Sequence, residues 1–122
     1  MKVLLIEDDQ EIVTSLSIII ANQYPGAAIT STHLGQTAIT MLREQPFDLV
    51  VLDLGLPDIS GLDVLKAVRS FSAVPIIILT ASLEENNRTT GIGLGASDYL
   101  NKPFGYVQFI DSVKAQCPDP VK

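Results

Sequence analysis

Three carboxylates, one hydroxyl and one ammonium in this sequence are of the types needed for chemistry at phosphorus: Glu7, Asp8 and Asp53, then Thr80, then Lys102. Carboxylates packed together repel, and their pKa values rise unless something compensates. A divalent cation removes that cost. An all-oxygen donor set suits Mg2+, which is held by a few carboxylates, keeps several waters and binds phosphate oxygens. An aspartate beside such an ion can act as a nucleophile toward phosphorus. The remaining groups then position the reactants and neutralise charge on the transferred oxygens. On this reading Asp53 attacks, Glu7 and Asp8 hold the metal, Lys102 is a compact cation facing the oxygens, and Thr80 offers a hydroxyl. The one histidine, His33, reads as an ordinary loop residue, and neither it nor the lone Cys117 is placed to recruit zinc.

Each feature has a plainer explanation when taken alone. Acids at positions 7–9 would favour the dipole of a following helix without any metal. Asp53 could cap a loop, Thr80 could merely end a strand, and Lys102-Pro103 could be a solvated turn. The chemistry stands only if the fold brings these scattered residues to one place.

The hydropathy pattern supplies such a fold. Short apolar runs at 3–6, 49–52 and 76–79 suit strands buried on both faces, and weaker strands are expected at 27–32 and 98–101. Between them, apolar residues recur at helical spacing over 10–23, 34–44 and 62–70, with a last helix at 106–115. Asp8 and Glu11 have capping-box spacing, as do Ser82 and Glu85 before a fourth helix. Tyr24-Pro25-Gly26 stops the first helix. Strand–helix alternation repeated five times argues a parallel sheet with helices on both faces, and ligands of such sheets bind beyond the C-terminal strand ends. Glu7 and Asp8, Asp53, Thr80 and Lys102 all fall there.

Composition narrows the function. With 122 residues, one domain is expected, here residues 1–117, with 118–122 as a tail or the start of a linker. A net charge of −6 argues against direct nucleic-acid binding. The apolar start at 3–6 is too short for a signal peptide or a membrane span. A single cysteine fits a reducing compartment, so a cytoplasmic location is expected.

The stretches Leu5-Ile6-Glu7-Asp8-Asp9, Val51-Leu52-Asp53-Leu54-Gly55-Leu56-Pro57-Asp58-Ile59-Ser60-Gly61, Ile78-Leu79-Thr80-Ala81 and Gly95-Ala96-Ser97-Asp98-Tyr99-Leu100-Asn101-Lys102-Pro103-Phe104 resemble the receiver domain of two-component response regulators. They span nearly the whole chain and lean toward receivers of winged-helix transcriptional regulators. The resemblance implies a flavodoxin-like (βα)5 three-layer sandwich with strand order 2-1-3-4-5. It implies Asp53 as phosphoacceptor and metal ligand, Glu7 and Asp8 as metal-site acids with Asp8 the direct ligand, and Gly55 as a backbone-carbonyl ligand of Mg2+. Thr80 and Lys102 would bind the phosphoryl group, Tyr99 would be the switch aromatic, and a cis bond would precede Pro103. The resemblance further implies that Gly55 and Ser82 occupy positions that tune phosphoryl lifetime. Both are small and neither is an acid or base, so no accelerated hydrolysis is expected. The implied partners are a histidine kinase or phosphotransfer protein upstream and an effector domain or target protein downstream.

The same resemblance implies a signalling domain that catalyses only its own phosphorylation and dephosphorylation, switching the face of the fourth helix, fifth strand and last helix. Asn86, Asn87, Thr89, Thr90, Gly91 and Gly93 form helices poorly, which predicts a soft fourth helix. Arg88 and Asp98 match charges that pair across dimers in the winged-helix subfamily. Their partner positions hold Gln108 and Ser112, which cannot form ion pairs, so a monomer or weak dimer is expected. Two rivals fit less well. A haloacid-dehalogenase-type phosphatase would carry a second aspartate where Gly55 stands. A flavodoxin-like electron carrier would carry a Ser/Thr-rich phosphate loop where Glu7-Asp8-Asp9 stands. A stand-alone receiver, a phosphorelay carrier and a domain of a larger regulator all remain open.

Overall fold

Continuous apolar runs make stable strands only where both faces of a sheet are covered. That holds for the three central strands, β1 (Lys2–Ile6), β3 (Leu49–Asp53) and β4 (Ile76–Thr80), in which every residue after Lys2 is buried. The protein, seen in a computed structural model that describes residues 1–81 and 90–117, has five parallel strands in the order β2-β1-β3-β4-β5. β2 (Ala28–Thr32) and β5 (Asp98–Asn101) are the edges. β2 has no buried residue, consistent with its weaker apolar pattern.

Around the sheet lie α1 (Gln10–Gln23), α2 (Gly35–Glu44), α3 (Gly61–Arg69), a helical stretch α4 at residues 90–93, and α5 (Tyr106–Gln116). Alternation along each strand divides the interior into two layers. Val3, Leu5, Val51 and Leu79 pack with Leu16, Ile20 and Phe109, under α1 and α5. Leu4, Ile6, Leu52 and Ile78 pack with Leu42, Leu65 and Tyr99, under α2 and α3. The architecture is the expected flavodoxin-like three-layer sandwich.

The start of α1 differs from expectation. Asp9 is the cap, not Asp8: its Oδ1 accepts the Glu11 N–H at 3.0 Å. Moving the cap one residue along leaves the Asp8 carboxylate free of that duty. α3 opens on Ser60, whose hydroxyl accepts the Leu62 N–H at 3.2 Å. Gly26 sits at φ 89°, a left-handed conformation that lets the chain turn after α1. The capping pair Ser82–Glu85 lies outside the described residues, as do Asn86, Asn87, Arg88 and Thr89. No helix among the described residues is long and apolar enough to cross a membrane.

Candidate functional site

Strand register puts the chemistry together. β1 and β3 are neighbours with Ile6 beside Leu52, so Glu7 and Asp53 emerge side by side at the switch point of the sheet. β3 and β4 pair Asp53 with Leu79, which places Thr80 one step beyond. β4 and β5 pair Thr80 with Asn101, and the Lys102 N–H donates to the Thr80 carbonyl at 2.7 Å. The peptide bond between Lys102 and Pro103 is cis.

The side chains converge as the backbone does. Glu7, Asp8 and Asp53 each present a carboxylate oxygen within 4.8 Å of the other two. Lys102 reaches over them, its Nζ 2.8 Å from Glu7 Oε1 and 3.5 Å from Asp53 Oδ1. Glu7, Asp53 and Thr80 are buried, whereas Asp8 is exposed. Burial pushes the Glu7 carboxyl above the ordinary carboxylate range, although the Lys102 ammonium and the Asp9 N–H act against this. Glu7 Oε2 accepts that N–H at 3.1 Å, so both oxygens of Glu7 already have partners. The exposed Asp8 is the acid with the most room for a new ligand.

This donor set fits Mg2+. Three carboxylates supply oxygen, no nitrogen or sulfur ligand competes among the described residues, and one of the three, Asp8, is exposed. Gly55 is at the same rim: a Cβ on it would lie 3.8 Å from Asp53 Oδ2. Ser82 lies outside the described residues. A groove of about 610 Å³ opens beside the rim, between α1 and the segment that follows β5, with Lys102, Pro103 and Phe104 in its wall.

Tyr99 is 2% exposed, so its ring lies within the fold. A Cβ on Gly91 would meet Ile78 Cδ1 at 2.8 Å and Tyr99 Cδ2 at 3.6 Å, so the backbone of α4 rides close to that ring. Asp98 is held inside its own chain. Its Oδ1 accepts the Tyr99 N–H at 2.7 Å and its Oδ2 the Ser112 hydroxyl at 2.5 Å.

Two features escape the sequence patterns. One is the Glu7–Lys102 clamp, which spans 95 positions. The other is Asp58, whose Oδ1 and Oδ2 accept the N–H groups of Gly35 and Gln36 at 2.8 and 2.9 Å. Asp58 thereby caps α2 from another loop. The available signal was that α2 opens on Leu34-Gly35, with no capping side chain of its own.

Comparison with known proteins agrees with this geometry. The family model for the response regulator receiver domain matches residues 3–114. The transcriptional regulatory protein KdpE of Mycobacterium tuberculosis is 36% identical over 113 residues, which are 93% of this chain and 49% of that protein. The chain thus spans about half the length of the curated relatives it matches. A two-component response regulator from Clostridium difficile superposes with a TM-score of 0.88 at 26% identity, covering 95% of this chain and 94% of that one. The receiver domain of a sensor histidine kinase from Pseudomonas aeruginosa has a TM-score of 0.83 at 26% identity, covering 94% and 95%, and carries a magnesium ion in its active-site cleft. Sheet order, strand-end residues and family match all lead to one assignment: this chain belongs to the response regulator receiver family.

Proposed function

We propose that Asp53 accepts a phosphoryl group from the phosphohistidine of a kinase or phosphotransfer protein, and that the resulting acyl phosphate switches the face made by α4, β5 and α5. The observation carrying this reading is the convergence of Glu7, Asp8 and Asp53 within 4.8 Å under the Lys102 ammonium. An Asp53 oxygen attacks phosphorus, the bond from phosphorus to the imidazole nitrogen breaks, and its electron pair stays with the ring. Asp8, Asp53 and the Gly55 carbonyl would hold Mg2+ directly, with Glu7 supporting the site. When bound, the ion supplies positive charge against the phosphoryl oxygens. Lys102 leaves Glu7 for a phosphoryl oxygen and adds a point charge there. Thr80 donates its hydroxyl to another.

Phosphorylation adds nearly two negative charges and three strong acceptors. Thr80 and Lys102 are drawn toward them, and Tyr99 takes the space that Thr80 leaves. The close approach of α4 to the Tyr99 ring at Gly91 supports a path from that movement to the surface. The result is a bias in a two-state equilibrium, not a new fold. The domain acts as a signalling element and performs chemistry only on itself. Since the chain spans about half of relatives such as the transcriptional regulatory protein KdpE, the rest of the whole protein would be an effector, such as a DNA-binding domain. The internal pairing of Asp98 supports a monomer or weak dimer. A cytoplasmic location follows from kinase and effector partners of this kind.

Incubation with acetyl phosphate and Mg2+, followed by intact-mass measurement, tests the proposal. The mass of one phosphoryl group should be gained, and Asp53→Asn should abolish the gain. An equal gain in Asp53→Asn would place the phosphoryl group elsewhere and end the reading.

A further inference from the structure

The loop from β3 to α3 carries Gly55, and its conformation must be set by something. At its base the Gly61 N–H donates to the Leu54 carbonyl at 3.0 Å. Among the described residues, the backbone of 55–57 makes no hydrogen bond that would hold it. The next residue, Asp58, makes two, both to the first turn of α2, at 2.8 and 2.9 Å. Ile59 then seats against the start of the same helix, where a Cβ on Gly35 would come within 2.7 Å of Ile59 Cγ1. One carboxylate therefore does two things at once. It satisfies orphan N–H groups of α2, whose own cap residue Leu34 contributes no side-chain hydrogen bond. It also pins the loop three residues beyond Gly55.

We infer that Asp58 is a positioning residue for the metal site: by anchoring the loop to α2 it keeps Gly55 beside Asp53, where its carbonyl would serve the metal. Asp58 itself touches neither metal nor phosphate. The inference rests on the proposed Mg2+ site. Residues that orient ligands from behind are costly to lose, by roughly 10- to 100-fold in metal affinity.

A merely structural role would have the same side chain stabilise α2 and nothing more, and a rescue variant separates the two. Asp58→Ala removes both the cap and the anchor. Leu34→Ser in that background offers α2 a cap from its own sequence but cannot hold the loop. Mg2+ affinity is read from amide NMR shifts of the folded protein at low temperature, and stability from urea unfolding in EDTA. The expected result is about 10-fold weaker Mg2+ binding in Asp58→Ala that persists in Leu34→Ser/Asp58→Ala, whether or not stability returns. Wild-type affinity in Asp58→Ala, or affinity that returns in the double variant, would overturn the inference and reduce Asp58 to a helix cap. Failure of the wild-type chain to bind Mg2+ would instead show that the proposed metal site is wrong.

Discussion

Replacing Lys102 with methionine keeps an apolar stem and deletes an ammonium that the structure places over Glu7 and Asp53. The ammonium lies 2.8 Å from Glu7 Oε1 and 3.5 Å from Asp53 Oδ1. At an effective dielectric of about 20, those separations correspond to gross attractions of about 6 and about 5 kcal/mol. Most of that is offset by the cost of desolvating the ions, and loss of one partner of a buried pair typically costs about 3–5 kcal/mol. The Lys102 side chain is 17% exposed, and the abandoned Glu7 carboxyl, already raised by burial, can take up a proton, so the lower side applies. The expected loss at neutral pH is about 2–3 kcal/mol, or roughly 10 °C in Tm.

The pH dependence is the sharper test. The folded-state pKa of Glu7 lies above its unfolded value, chiefly through burial. Ionised Glu7 therefore burdens the fold, and stability falls as pH rises from the unfolded value through the raised folded one. Lys102 relieves that burden, so its loss raises the Glu7 carboxyl further and makes the penalty depend on ionisation. Unfolding followed by far-UV circular dichroism in EDTA should show a deficit in Lys102→Met at pH 7 that narrows toward pH 4. Equal stability at pH 7, or a deficit that grows on acidification, would refute the electrostatic account of the clamp.

Gly61→Ala should destabilise by about 1–3 kcal/mol in urea unfolding. Its Cβ would meet the Asp53 carbonyl oxygen and Leu54 Cα at 2.6 Å, and backbone cannot step aside as a flexible side chain does. Gly93→Ala enters open space in α4 and should stabilise by about 0.5–1 kcal/mol, with slower amide exchange at residues 90–93 than in the parent. The parent should itself exchange faster there than in α3. Two backbone N–H groups hold the Asp58 carboxyl below the ordinary aspartate range, so its contribution is present at neutral pH and lost as pH falls through that lowered value. Asp58→Asn should therefore flatten the acid limb of the stability curve, and an unchanged limb would contradict the pairing. Gly55→Asn or Ser82→Glu should change the lifetime of the phosphorylated protein, followed by intact mass after donor removal. An unchanged lifetime in both would show that these positions do not set turnover.

That Glu7, Asp8, Asp53, Thr80 and Lys102 gather at one rim was legible in the sequence because strand ends are easy to see. Apolar runs such as residues 49–52 and 76–79 stop abruptly at Asp53 and Thr80, and burial on both faces is what such runs require. Local competition was harder to see. Asp8 and Asp9 are adjacent and chemically equivalent as caps, and the assignment to Asp9 depends on where the first turn of α1 begins. The role of Asp58 was hidden because the partner that needed a cap, α2, lies 22 to 23 positions earlier. Asp98 and Ser112 read as surface positions, yet together they join β5 to α5 within one chain.

Hydrophobic period and residue type are local quantities, so the chain's own order of letters was enough to set the number of strands, their burial and the rim where polar groups gather. Distances between side chains are not local. That Lys102 leans on Glu7 more closely than on Asp53, that the ring of Tyr99 lies inside beside Gly91, and that Asp58 holds α2 were decided only when the packed layers settled which carboxylates had water and which had a partner.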